Sequence, residues 1–113
     1  MKRYCLALDL ADDPALIAEY EKHHKPENER PAITKSIKDA GIINMEIYRI
    51  GNRLFMIMDT TDDFDFAKKA AMDAGNATVT EWENFVWKFQ RPLPWSKPNE
   101  KWALMEKIYQ LPG

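Results

Sequence analysis

Ile43-Asn44-Met45-Glu46-Ile47-Tyr48-Arg49-Ile50, then Gly51-Asn52, then Arg53-Leu54-Phe55-Met56-Ile57-Met58-Asp59-Thr60: this stretch decides the fold. Much of the first run alternates, with Ile43, Met45 and Ile47 set between polar or aromatic residues. That period of two predicts a strand with one buried face. Gly51-Asn52 reads as a turn. The second run is almost continuously apolar, as in a strand buried on both faces. Two such strands joined by so short a turn make a hairpin.

Working outward, residues 31 to 41 predict a helix, with proline at its first position and Gly41 as a left-handed C-terminal cap. Before it, Asp13-Pro14 starts another helix that runs to about His24, where Lys25-Pro26 stops it. Leu16, Ile17, Tyr20 and His24 share one face of that helix. Residues 2 to 10 read as a first strand. After the hairpin, Thr61-Asp62-Asp63 predicts the cap of a helix holding Phe64, Ala67, Ala71 and Met72. Gly75-Asn76 breaks it, and a further helix spans about Thr78 to Phe89 with Trp82, Phe85, Val86 and Phe89 on its apolar face. Residues 91 to 100 are a proline-rich loop, and the alternation from Trp102 to Leu111 predicts a last strand. The order is β-α-β-β-α-β with each crossover a broken helix, an α+β fold of the ferredoxin-like kind. Helices cover one face of such a sheet. A second copy of the chain is the simplest cover for the other, so a homodimer is expected.

With 113 residues, one domain spanning 1–113 is expected. A chain this short has room for a single core but not also for a large internal cavity. A site is therefore expected as a shallow pocket at the mouth of the fold or at a subunit interface. The net charge of −2, from 16 basic and 18 acidic residues, offers no basic stripe for nucleic acid. The single cysteine, Cys5, forms no internal disulfide and reads as an inert buried thiol. The apolar start is broken at Asp9, too early for a signal peptide, and no run approaches the ~20 apolar residues of a membrane span. The cytoplasm is the expected compartment.

Chemistry concentrates in Tyr20-Glu21-Lys22-His23-His24-Lys25-Pro26. Tyr20 and His24 stand four apart, so both side chains reach the same spot. Histidine titrates near neutrality and can act as general acid and general base. In the plainer alternative Tyr20 packs in the core and His24 caps the last carbonyls of the helix. No metal is expected. His23 and His24 point about 100° apart on a helix, and neither a second cysteine nor an HExxH spacing is present. Glycine-rich nucleotide motifs are absent too, and neither Ser36 nor Ser96 is flanked like a nucleophile. Of the four tryptophans, Trp82 either packs with Phe85 and Phe89 or presents an indole to a sugar, with Glu81 and Asn44 bonding its hydroxyls. Trp87, Trp95 and Trp102 read as packing.

Glu19-Tyr20-Glu21-Lys22-His23-His24-Lys25-Pro26 resembles the helix-end motif of the L-rhamnose mutarotase family, a Tyr four before a His with a Pro two later. Ala40-Gly41-Ile42-Ile43-Asn44-Met45-Glu46-Ile47-Tyr48 is similar to the family's Gly-x-x-Asn-Tyr-x-Ile-Tyr strand. Leu54-Phe55-Met56, Glu81-Trp82 and the ending Leu111-Pro112 continue the likeness in the same order. The resemblance implies a cofactor-free enzyme that interconverts the α and β anomers of a 6-deoxy-L-sugar, L-rhamnose or L-fucose. It also implies a dimeric α+β barrel. The family's proton donor falls on His24 and its substrate-binding positions on Tyr20, Met45, Glu81 and Trp82. Tyrosine has become Met45, and a Trp-Trp pair has become Glu81-Trp82, so the walls of the sugar pocket differ while the catalytic end does not. Two other readings stay open: a non-catalytic module that binds a small ligand, and another small-molecule enzyme on this fold, such as a monooxygenase.

Overall fold

The computed structural model describes residues 1–113. Strand β1 (Lys2–Leu10) runs through the middle of the sheet. Asp13 accepts hydrogen bonds from the amides of Ala15 and Leu16 at 2.9 and 3.3 Å, and Pro14 follows it, so α1 (Pro14–His23) starts at the cap read from the sequence. A single 3-10 turn at Pro26–Asn28 leads into α2 (Pro31–Asp39). The hairpin follows as β2 (Ile42–Ile50) and β3 (Arg53–Thr60). Next come α3 (Phe66–Ala74) and α4 (Ala77–Trp87). Two short strands close the chain, β4 (Gln90–Arg91) and β5 (Ala103–Leu104).

The sheet order is β2-β3-β1-β4, with β5 also paired to β1. β3 is antiparallel to both β1 and β2, so it sits between the two strands that the first crossover joins. This is the ferredoxin-like α+β arrangement.

Three expectations change. The last strand was read over 102–111, but only Ala103–Leu104 pairs, opposite Ala7 and Leu6. Gln90 and Arg91 take the adjoining stretch of β1, opposite Leu10 and Asp9. The edge position is shared by two fragments, and beyond Met105 no neighbouring strand supplies hydrogen bonds. Ile108, Tyr109 and Leu111 are left 93%, 69% and 70% exposed. Alternation makes a strand only where a partner exists. Phe64 precedes α3 instead of lying in it, because the cap is Asp65, which accepts from Ala67 N and Lys68 N at 2.8 and 3.3 Å. Phe64 is drawn into the core against Tyr4.

The third change concerns burial. On β3, Leu54, Met56 and Met58 are buried, while Phe55 and Ile57, on the other face, are half-buried. The register sets Leu6 opposite Met56 and Leu8 opposite Leu54, and these point toward the helices. On β2 the expected buried face is absent, with Ile47 still 37% exposed. The core itself is small, 18 buried residues of 113, and divides into two clusters of five. One holds Leu6, Ile42, Met56, Met58 and Phe64; the other holds Leu10, Tyr20, Leu54, Val86 and Phe89. Both border a cavity of about 510 Å³ beneath β2. It opens to solvent, so the site is a deep pocket at the mouth of the fold. Space comes from dividing the core, not from adding to its size.

The face of the sheet away from the helices carries a bidentate ion pair near each end of the β1–β3 ladder, Arg3–Asp59 and Arg53–Asp9. No helix is long and apolar enough to cross a membrane.

Gly41 carries the junction from α2 to β2 with φ +96°. A Cβ there would stand 2.8 Å from Thr61 Oγ1. Left-handed backbone costs an L-residue roughly 1–2 kcal/mol. Gly41→Ala is therefore expected to lower stability by at least about 1 kcal/mol, read as a shifted urea midpoint with unchanged slope. An unshifted midpoint contradicts this.

Candidate active site

The site begins with how α1 ends. A helix leaves its last carbonyls without partners. Here the His24 amide donates to Glu21 O at 3.0 Å, the Lys25 amide to Lys22 O at 3.3 Å, and Asn28 Nδ2 to Lys22 O at 2.7 Å. The carbonyl of Tyr20 meets His24 Nδ1 at 2.8 Å. The plainer reading of His24 as a helix cap thus describes one of its two nitrogens. A peptide carbonyl can only accept, so in the neutral ring the proton sits on Nδ1. Nε2 is left as an unprotonated acceptor, and it makes no hydrogen bond within the chain.

His24 is exposed by area, because its ring borders three clefts at once. These clefts replace part of its hydration with protein. Desolvation lowers its pKa below the ordinary histidine value of 6.5, and the charges of His23 and Arg30 push the same way against the Tyr20 carbonyl. The ring stacks on Tyr20 at 4.2 Å between centroids.

Tyr20 is only 4% exposed and belongs to the core. Burial pushes its phenol up to about 12, partly opposed by a hydrogen bond from Gln90. It stays a protonated donor at any working pH. Gln90 Nε2 donates to the Tyr20 oxygen at 3.5 Å, and Gln90 Oε1 is buried with no partner. With its oxygen already accepting, the phenol has its own hydrogen to give elsewhere.

Of the residues singled out by sequence, Tyr20, His24, Met45 and Trp82 line the 510 Å³ cavity together. Met45 also faces a second, more open cleft of about 810 Å³, which shares Tyr20 and His24 and is bordered by Asn44. Trp82 lies 5.6 Å from His24, with Arg30 over its indole at 4.5 Å. Glu81 borders a separate pocket with Arg30 and Phe85, on the far side of Trp82. Its near neighbour Glu83 lines the main cavity instead. His23 turns away and packs edge-on against Phe85 at 4.8 Å.

The sequence reading missed Glu83, Gln90, Glu100 and Trp102, all on the cavity wall. The signal for Glu83, the one in a helix, was present: Val79, Trp82, Glu83 and Val86 repeat at three and four. Reading only the apolar face of Trp82, Phe85, Val86 and Phe89 left Glu83 out. No three His, Cys, Asp or Glu side chains converge as metal ligands would. What remains is an uncharged base, a buried phenol donor and largely apolar walls that also carry Lys69, Asp73, Glu83 and Glu100. That set can move a proton on a neutral polar ligand.

Residues 3–111 match the family described as L-rhamnose mutarotase. Among curated proteins, the L-fucose mutarotase of Xanthomonas campestris is 47% identical over 111 residues, covering 98% of this chain and 89% of that protein. The solved L-rhamnose mutarotase of Formosa agariphila superposes with TM-score 0.70 at 18% identity, covering 99% of this chain and all of that one. A dimeric ferredoxin-like protein from an uncultured marine organism superposes with TM-score 0.53 at 13% identity, over 97% of this chain and 91% of that one. These two structures, so distant in sequence, speak for the fold alone.

Proposed function

The chain belongs to the L-rhamnose mutarotase family, and we propose that it interconverts the α and β anomers of a 6-deoxy-L-sugar, L-fucose foremost. The identity to an L-fucose mutarotase supports that choice of sugar. The observation that carries the chemistry is the bond from His24 Nδ1 to the Tyr20 carbonyl, which frees Nε2 as a base.

In this reading Nε2 takes the proton of the anomeric hydroxyl. The C1–O5 bond breaks, its electron pair goes to the ring oxygen, and C1 becomes an aldehyde. His24 returns the proton to O5, with the Tyr20 phenol donating a hydrogen bond to the sugar. Rotation about C1–C2 presents the other carbonyl face, and the same steps run backward. Atoms and charge balance without a co-reactant. Met45 and Trp82 serve as walls. Glu81, outside the cavity, acts through Trp82. We also propose that the enzyme works in the cytoplasm and as a homodimer, the second copy covering the face of the sheet away from the helices; the dimeric state of the ferredoxin-like protein supports the second copy alone.

The test is anomer exchange by saturation-transfer NMR with L-fucose, L-rhamnose and their C6-hydroxylated counterparts across pH. Acceleration is expected to be largest for L-fucose. Because desolvation by the clefts around it holds the His24 pKa below 6.5, kcat/KM should fall on the acid side with a midpoint below 6.5. Tyr20, at about 12, adds no alkaline limb near neutrality. Stability follows the same sign. The folded-state pKa is depressed, so this contribution is complete above the unfolded value of about 6.5 and is lost as pH falls toward the folded one. No acceleration with any sugar rejects the assignment, and an acid limb centred above 6.5 rejects the desolvated base.

A further inference from the structure

Four aromatic rings line the cavity that Tyr20 and His24 share: Tyr20, Phe66, Trp82 and Trp102. Three are already engaged. Tyr20 stacks on His24, and Phe66 meets Tyr4 and Phe64 edge-on at 4.9 and 5.0 Å. Trp82 has Arg30 over its ring and Phe85 stacked at 5.8 Å. Trp102 alone among them has neither an aromatic nor a cationic partner. It is half-buried and packs against both halves of the core.

Its neighbours in sequence hold it there. On one side Lys101 donates to Glu83 at 3.2 Å and lies over Trp87 at 4.9 Å, which ties the chain to α4. On the other, Ala103 is buried and pairs with Ala7 of β1. The indole is thus fixed between helix and sheet, where a ligand finds it already oriented. It offers an apolar plane and one N–H donor. Glu83, Gln90 and Glu100 stand on the same cavity wall as acceptors. A pyranose has the matching surface, with a patch of C–H bonds rimmed by hydroxyls.

We propose that Trp102 is the stacking platform for the sugar ring, a substrate-binding residue in addition to Tyr20, Met45 and Trp82. The inference rests on the mutarotase reading above. Stacking on the ring is made alike in the closed ground state and in the ring-opening transition state. Its loss therefore weakens binding uniformly, raising KM and leaving kcat.

The test compares Trp102→Leu, Trp102→Phe and Trp82→Phe with the wild type, using L-fucose as probe. Trp102→Leu is expected to raise KM about tenfold with kcat within about twofold, and Trp102→Phe to fall between. Sugar-induced change in tryptophan emission should fall more in Trp102→Phe than in Trp82→Phe. If Trp102→Leu fails to fold, the Phe variant, which keeps a ring for packing, decides through its KM and emission. An active wild type whose KM and emission response are untouched by Trp102→Phe overturns the inference while leaving the mutarotase reading standing. A wild type that neither binds nor exchanges the sugar overturns both.

Discussion

His24→Ala should return anomer exchange to its rate in water and leave the fold in place. Positioned proton transfer contributes on the order of 10²–10⁴-fold, and the loss should fall in that range. Neither neighbouring ring can substitute. His23 is turned against Phe85, and Tyr20 is a phenol held protonated. The structural cost is small, because the bond lost is to a helix-end carbonyl that water can reach, worth roughly 0.5–1.5 kcal/mol. Saturation-transfer NMR reads the rate, and a thermal melt checks the fold. Undiminished exchange in a folded variant would remove His24 from the mechanism. So would an equal loss in Tyr20→Phe with none in His24→Ala, which would shift the chemistry to the phenol.

Phe89→Ala should produce the largest loss of stability. Phe89 is 1% exposed, packs edge-on to Tyr20 at 6.1 Å and to Phe85 at 5.5 Å, and belongs to a cluster of only five residues. Truncating a buried phenylalanine costs about 3–5 kcal/mol, against a total of roughly 5–15 kcal/mol for a domain. The divided core has no reserve, since the neighbouring space is already cavity. We expect a melting temperature lower by more than about 10 °C and a KM raised as Tyr20 loses its edge contact. A shift of only two or three degrees would mean that the two clusters are less independent than their burial implies.

The hairpin was legible because its signals are local: alternation, a Gly-Asn turn, and apolar residues in a run of strand length. The starts and stops of the helices were legible for the same reason. Asp13-Pro14, Gly41 and Gly75-Asn76 each act on the backbone within a turn. Tyr20 and His24 met because four residues on a helix bring side chains together whatever surrounds them. Other features depended on distant parts of the chain. Whether residues 105–111 form a strand depends on a neighbour that sequence does not reveal. The cavity depends on which apolar residues fail to meet, and composition counts only how many there are. Trp102 and Gln90 enter from outside the helical stripe, after the turn of α4 into β4 and a loop with no periodicity. Glu81 and Glu83 are both acidic neighbours of Trp82, and only the rotation of α4 distinguishes which faces the cavity.

His24 takes its orientation from a peptide carbonyl, so no second side chain has to be kept for the imidazole to present the right nitrogen. The walls around it are drawn from α2, β2, α4 and the segment before β5. On the function proposed above, the proton-moving step rests on the end of α1 and the sugar preference mostly on those walls. A lineage can exchange Met45 or Trp102 and drift toward another deoxy sugar while the end of α1 passes on unchanged.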